Sequence, residues 1–314
     1  MIYEVSLLIF GFFGLWIGSE LVISGAKDIA NHFKLSNVFI GLTVLAIGTD
    51  LPELMVSATG AFSNLQGVEA SGLVVGNIIG SCITQILLIL GILGTFGYYF
   101  ISRKQLQREG FTLLGSLILF YLLGMNGELN KGEGIAMILF YLAYILSVGR
   151  ESLKVVDGKR RKPTLHFEWS LISLAGGLIV VLFSSELVIN NSLFLAETLN
   201  VSQTFVGLLL IGLGTSLPEL AVSITAAFRK AYGLSIGNLL GSNIFDTLFV
   251  TGVGATISGL KVSDALLAFD IPFLFVASLL VLFFFARKRG IQRKEAIVLL
   301  GTYAFYVVYK VLML

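Results

Sequence analysis

The stretch 45-LAIGTDLPELMVSATGAF-62 has a near copy at 211-IGLGTSLPELAVSITAAF-228. Both lie in apolar sequence long enough to cross a bilayer, yet each has a proline and a glutamate at its centre. Pro52 has no amide hydrogen, so the carbonyl of Gly48 loses its helical partner, and Pro218 does the same to Gly214. In hydrocarbon an orphaned carbonyl needs another protein group, water or an ion. Thr49 and Glu53 are spaced i,i+4 and Asp50 and Glu53 i,i+3, so these oxygens share one face if the helix resumes after the break. Thr215, Ser216 and Glu219 repeat that face in the copy.

Composition sets the context. The chain has 314 residues, 56% hydrophobic and only 13% charged, against about 25% charged in soluble domains. The mean hydropathy is +0.93. This is an integral membrane protein, and its 35 glycines suit helices that pack closely or unwind inside a bilayer. A single cysteine, Cys82, excludes an internal disulfide and a cysteine-based zinc site. The two histidines, His32 and His166, fall in polar connections, and no nucleic-acid motif is present. The N-terminus runs into a full-length apolar span without a basic leader, so it reads as a first transmembrane helix rather than a cleaved signal.

At about 20 apolar residues per spanning helix, ten spans are expected, over residues 5–29, 38–61, 73–96, 110–123, 134–148, 171–195, 204–228, 233–257, 265–285 and 296–313. The fourth and fifth are short. With the N-terminus outside, all but Lys131, Lys261 and Lys310 of the 21 Lys and Arg fall in inward connections, as the positive-inside rule requires. Both termini are then outside the cell membrane.

The repeats hold their register. Glu219 follows Glu53 by 166 positions, the offset that also links Glu186 to Glu20 and Ser202 to Ser36. A second motif, 76-GNIIGS-81, returns as 237-GNLLGS-242 at an offset of 161. Five spans per half is an odd number, so the second half enters the membrane inverted. The expected fold is an all-α membrane protein of two inverted five-helix repeats with helices broken at the midplane. Residues 1–148 form the first repeat, with motifs at 41–62 and 76–86. Residues 149–168 form a basic cytoplasmic linker. Residues 169–314 form the second repeat, with motifs at 207–228 and 237–247. Inverted repeats with discontinuous helices are the architecture of secondary transporters, whose sites lie near the midplane.

The second motif adds Ser81 with Gln85, and Ser242 with Asp246, each pair again i,i+4. Inverting one half onto the other brings four such segments together. The set holds carboxylates, hydroxyls, an amide and freed carbonyls, without sulfur or imidazole. Hard oxygen ligands suit calcium, sodium or magnesium; calcium takes about 6–8 oxygens in flexible geometry, whereas magnesium dehydrates reluctantly. Glu53 and Glu219 balance one Ca²⁺, leaving Asp50 and Asp246 in excess. Crowded carboxylates cannot all ionise without counter-charge, so the site must exchange cations or protons. No resident cofactor is expected; the partners are the transported ions and the lipid bilayer.

The motifs GTDLPEL, GTSLPEL, GNIIGSCI and GNLLGSNIFD resemble the two alpha repeats of the cation/calcium exchanger superfamily, nearest its sodium/calcium exchangers of prokaryotic type. The resemblance covers both halves and all ten expected spans. It implies that Glu53 and Glu219 coordinate calcium with carbonyls near Ala46 and Gly212, and that Thr49, Ser81, Thr215, Ser216 and Ser242 serve flanking sodium sites. It also implies that the first and sixth helices slide across the other eight, opening the site to alternate sides. Two positions depart from the pattern: Asp50 stands where serine is usual, and Gln85 where asparagine or aspartate is common. Asp50 leaves the coupling ion open between sodium and protons, and potassium-dependent relatives carry an aspartate at the position of Asp246. The function implied is a secondary antiporter exchanging calcium for sodium, not an enzyme.

Other residues have plainer readings. Glu20 and Glu186 are expected near helix ends or in local pairs rather than on the ion. Asp270, beside Pro272, is expected at the interface, and Cys82 as a small packing residue. Gly11, Gly14 and Gly18, with Gly176 and Gly177, fit either a sliding surface or ordinary small-residue packing. A hydrolase reading lacks a nucleophile elbow or a metal-histidine motif. A passive channel fits poorly with inverted halves and broken helices.

Overall fold

The computed structural model describes residues 2–33, 35–96, 99–100, 103–152, 167–198, 212–288 and 290–313. The first half contains α1 (Ile2–His32), α2 (Asn37–Thr49), α3 (Leu51–Leu65), α4 (Ser71–Phe96), the two-residue strand β1 (Tyr99–Phe100), α5 (Arg103–Gly124), β2 (Glu128–Leu129) and α6 (Lys131–Ser152). The second contains α7 (Phe167–Thr198), α8 (Gly212–Thr215), α9 (Leu217–Phe228), α10 (residues 232–258), β3 (Leu260–Lys261), α11 (residues 266–288), β4 (Gly290–Ile291) and α12 (Arg293–Met313).

Among the described residues seven helices are long and apolar enough to cross a membrane, and the bent pair α2–α3 makes an eighth. The fourth and fifth expected spans are 22 residues each, longer than their apolar runs. α5 extends back through Arg108 because Glu109, which truncated the apolar run, is buried and paired. α10 is the polar exception: Asn238, Ser242, Asn243, Asp246 and Thr247 are all fully buried on it, so it is enclosed by protein rather than lipid. Residues 204–211 of the seventh expected span, and 153–166 of the basic linker, lie outside the described residues.

The breaks fall where proline demands. α2 ends at Thr49, the chain turns at Asp50 (φ −82°, ψ 10°), and α3 restarts at Leu51 with Pro52 in its first turn, where a missing N–H costs nothing. The bend is 47°. α8 and α9 repeat this around Ser216 (φ −87°, ψ 6°) and Pro218. Both glutamates therefore lie in the first turn of a resumed helix, whose N-terminal dipole favours a carboxylate. The second motifs are distorted differently, running into π-helical segments at Thr84–Ile89 and Asp246–Val250; such segments frequently mark functional sites.

Glycine governs two helix pairs. α1 and α7 run antiparallel, with Gly14 against Ser184, Gly18 against Gly177 and Val181, and Gly25 against Ser170 and Leu174. α2 and α10 run parallel, with Gly233 against Val38, Gly237 against Gly41, and Gly241 against Leu42 and Ala46. The α1–α7 pair packs in a second apolar cluster, built from Leu15, Val22, Ile23, Leu174 and Val181 with Ile40 and Leu45 of α2, Val222 and Ala226 of α9, and Leu234 of α10. The larger core joins α4, α5, α6, α10, α11 and α12. A side chain at Gly177 would come within 2.7 Å of the Val22 nitrogen and 2.8 Å of the Gly18 carbonyl. Gly177→Val is therefore expected to force the pair apart and cost about 1–3 kcal/mol, read as a lower unfolding temperature.

Two short antiparallel pairings tie the halves. Tyr99 pairs with Ile291 and Phe100 with Gly290; Glu128 pairs with Lys261 and Leu129 with Leu260. The 22 residues of α5 separate β1 from β2 by about 33 Å, so the ties close opposite ends of the bundle. Large exposed side chains such as Phe10, Trp16, Phe111 and Phe183 face outward, as a lipid environment requires.

One plainer reading needs revision. Glu20 does not pair locally; it is bound by Arg229, 209 positions away, while Lys27 donates to the Arg229 carbonyl at 3.0 Å. Asp270 is 1% exposed, and Tyr306 and Lys310 of the next helix supply its partners. His32 closes α1 and stacks on Phe167 at 4.5 Å.

Candidate cation site

Four broken or distorted segments meet: the α2–α3 break, the α8–α9 break, and the middles of α4 and α10. Carboxylate oxygens of Asp50, Glu53 and Glu219 all lie within 4.8 Å of one another. Asp246 stands outside this trio but within electrostatic reach of Asp50, Glu53 and Glu219. All four acids are fully buried, as are Thr49, Ser81, Gln85 and Ser242; Ser216 and Thr215 are nearly so.

Most of these acid oxygens have no hydrogen-bond partner among the described residues: both on Asp50, both on Glu219, both on Asp246, and Oε2 of Glu53. The Ser242 hydroxyl is likewise unpartnered. An aspartate at a helix N-cap ordinarily accepts a backbone N–H; Asp50 occupies that position on α3 without making the bond. Buried carboxylates without cationic or hydrogen-bonding partners are expensive, and a cluster of them is suited to a hard cation.

Hydroxyls and amides brace the cluster. The Ser81 hydroxyl donates to Glu53 Oε1 at 3.1 Å, accepts from Gln85 Nε2 at 3.1 Å, and lies 3.0 Å from the Ser216 hydroxyl. With one proton to give, Ser81 must accept from Ser216. Asn243 Nδ2 donates to Gln85 Oε1 at 2.7 Å, extending the chain into the second half. On the C-terminal end of α2 the Ala46 carbonyl accepts the Asp50 N–H at 3.0 Å, and the Leu45 carbonyl accepts the Thr49 hydroxyl at 3.1 Å. Gly212 opens α8.

Of the candidates read from the sequence, Asp50, Glu53 and Glu219 are brought together, with Ser81, Ser216 and Gln85 linked to them; the amides of the second motif are further components. Thr49 Oγ1 lies 3.4 Å from Asn238 Oδ1, and Thr215 Oγ1 lies 3.3 Å from Asn77 Oδ1. These are symmetry-related crossings: 49 and 215 differ by 166, and 77 and 238 by 161. Each broken helix thus meets the other half of the chain at these points. The signal was present, since both asparagines are the second letter of the quoted GN motif. Cys82 is buried, 3.9 Å from the Asn243 carbonyl and the Thr247 hydroxyl, consistent with a packing residue.

Residues 3–149 and 169–312 match the family described as sodium/calcium exchanger protein. The chain belongs to that family. The new exchanger is 32% identical over 303 residues to an uncharacterized membrane protein of Methanocaldococcus jannaschii, covering 96% of both chains. It is 30% identical over 344 residues to the sodium/calcium exchanger MaX1 of Methanosarcina acetivorans, covering 96% of its own chain and 97% of the other. Its fold superposes on the sodium-calcium exchanger NCX_Mj, soaked with 10 mM Na⁺ and zero Ca²⁺, with a TM-score of 0.85 at 31% identity over 98% of both chains. Family and fold are those of an ion exchanger, so the exchanger is a multi-pass membrane transporter rather than an enzyme.

Proposed function

We propose that this exchanger is a secondary antiporter that moves Ca²⁺ against Na⁺ across the cell membrane by alternating access. The observation that carries the reading is the trio Asp50, Glu53 and Glu219, buried within 4.8 Å and rich in unpartnered oxygen. Glu53 and Glu219 supply the charge that balances one Ca²⁺. Ala46 and Gly212 contribute carbonyl oxygen. Thr49, Ser81, Thr215, Ser216 and Ser242, with Gln85 and Asp246, complete the calcium and sodium ligand sets. The ten spans form two inverted five-helix repeats, with both termini outside and residues 149–168 cytoplasmic. The closely packed glycines between α1 and α7 support a pair that slides as a unit over the remaining helices.

The test is transport itself. Protein reconstituted into sodium-loaded vesicles is expected to accumulate calcium when external sodium is withdrawn, and accumulation should collapse when the sodium gradient is abolished. Calcium uptake indifferent to that gradient rejects sodium coupling. One observation favours a second reading, in which protons replace sodium in coupling: Asp50 brings a third carboxylate into the trio, with both oxygens unpartnered. Involvement of potassium is tested by the same uptake assay with potassium imposed on one side.

A further inference from the structure

A second duplicated polar motif lies beside the ion site. Glu109 on α5, with Tyr141 and Tyr144 on α6, recurs as Asp270 on α11 with Tyr303 and Tyr306 on α12, at offsets of 161, 162 and 162. In the first half the Tyr144 hydroxyl donates to Glu109 Oε2, and Arg108 Nε donates to Glu109 Oε1 at 2.7 Å. In the second, the Tyr306 hydroxyl donates to Asp270 Oδ1 at 2.8 Å and Lys310 donates to Oδ2 at 2.9 Å. Each copy is thus a buried acid, held by a tyrosine of the following span and paired with a basic side chain.

The other tyrosine of each pair, three residues earlier and on the same helix face, reaches into the opposite repeat. The Tyr303 hydroxyl lies 3.4 Å from that of Thr84, in the π segment that contains Gln85. Tyr141 packs its ring on Phe245 and Phe249, with centroids 5.2 and 5.5 Å away, on either side of Asp246. The two copies differ in one respect. Tyr303 has a partner, whereas the Tyr141 hydroxyl is buried without one among the described residues, within electrostatic reach of Asp50 and Asp246. Both carboxylates are themselves unpartnered. The hydroxyl and these carboxylates share one buried region without a hydrogen bond between them, and leaving such groups unpaired in a dry interior is costly.

We propose that Tyr141 is a positioning residue of the ion site: its hydroxyl, unpartnered in this structure, donates to Asp50 or Asp246 when the cation is bound and fixes that carboxylate relative to Glu53 and Glu219. The spacing of the four acids sets the cavity that a dehydrated divalent ion must fill, so Tyr141 tunes the choice among alkaline-earth cations of different radius. The Tyr144–Glu109 couple holds α6 in register and acts as its prop. This inference rests on the reading that the four acids bind the transported cation.

Tyr141→Phe removes the hydroxyl and keeps the ring on Phe245 and Phe249. Initial rates of calcium and barium uptake into sodium-loaded vesicles are compared. The calcium half-saturation is expected to rise about tenfold, as for loss of one charge-assisted hydrogen bond, and the preference for calcium over barium to shrink, with the maximal rate little changed. Tyr144→Phe should shift both in the same direction by less, and add nothing to Tyr141→Phe in the double variant; it also carries the test if Tyr141→Phe does not fold. Tyr303→Phe should lower thermal stability and leave the cation preference unchanged. Unaltered half-saturation and preference in Tyr141→Phe, or a loss of stability alone, overturns the role of Tyr141. Glu53→Gln separates the two levels. If it still transports calcium, the site reading itself fails; if it is inactive while Tyr141→Phe behaves as wild type, only the role of Tyr141 falls.

Discussion

Glutamine in place of Glu53 or Glu219 abolishes calcium uptake and leaves the protein folded: this is the largest effect expected of any substitution in the chain. Both side chains are fully buried in the first turn of a helix that restarts after a break. Glutamine keeps their volume and polarity and removes one charge. A calcium ion stripped of water would then face an uncompensated charge, which costs about 3–5 kcal/mol when one member of a buried ionic pair is lost. That is roughly two to four orders of magnitude in affinity. Stability moves the other way, because one carboxylate fewer relieves repulsion among four buried acids. The unfolding temperature without calcium should hold or rise, while the stabilisation that calcium confers on the wild type disappears. The two variants differ in detail. Glu53 accepts a hydrogen bond from Ser81 and its replacement disturbs the chain through Gln85 to Asn243, whereas both Glu219 oxygens are unpartnered. Wild-type uptake in either variant would remove the basis for a two-carboxylate calcium site.

What the sequence disclosed follows from the physics of the membrane. A proline beside a glutamate inside an apolar run has few structural explanations, so the breaks at Asp50 and Ser216 and the convergence of Asp50, Glu53 and Glu219 were legible before any coordinates. The constant offsets made the second GN motif legible too. Side chains that act through helix faces were not. Tyr141 and Tyr144 lie in an apolar span where aromatic residues at helical spacing read as packing, and Glu109 reads as the charge that ends a span. Only the meeting of α5 with α6 reveals that the acid is buried and held by Tyr144. The partners of Asp270 were hidden for the same reason: Tyr306 and Lys310 lie 36 and 40 positions away. The pairing of Glu20 with Arg229 crosses the two repeats and has no local signature at all.

Asp50→Ser is expected to flatten the pH dependence of calcium uptake. Asp50 stands within 4.8 Å of Glu53 and Glu219, makes no N-cap bond to α3, and leaves both oxygens unpartnered. Two glutamates already balance one Ca²⁺, so the third charge must be offset by a proton or a monovalent cation. Protons compete with metal for carboxylate oxygen, so wild-type uptake falls as the pH falls, and part of that fall belongs to Asp50. Serine binds no proton. Each proton no longer displaced per calcium bound removes about a tenfold change in half-saturation per pH unit on the acid side. The direction of the accompanying change identifies the coupling ion. Under sodium coupling the variant keeps its requirement for a sodium gradient and loses only acid inhibition. Under proton coupling an imposed pH gradient drives uptake in the wild type and not in the variant. Isotope uptake under separately imposed sodium and pH gradients distinguishes the two, and identical profiles for wild type and Asp50→Ser would show that the aspartate has no part in coupling.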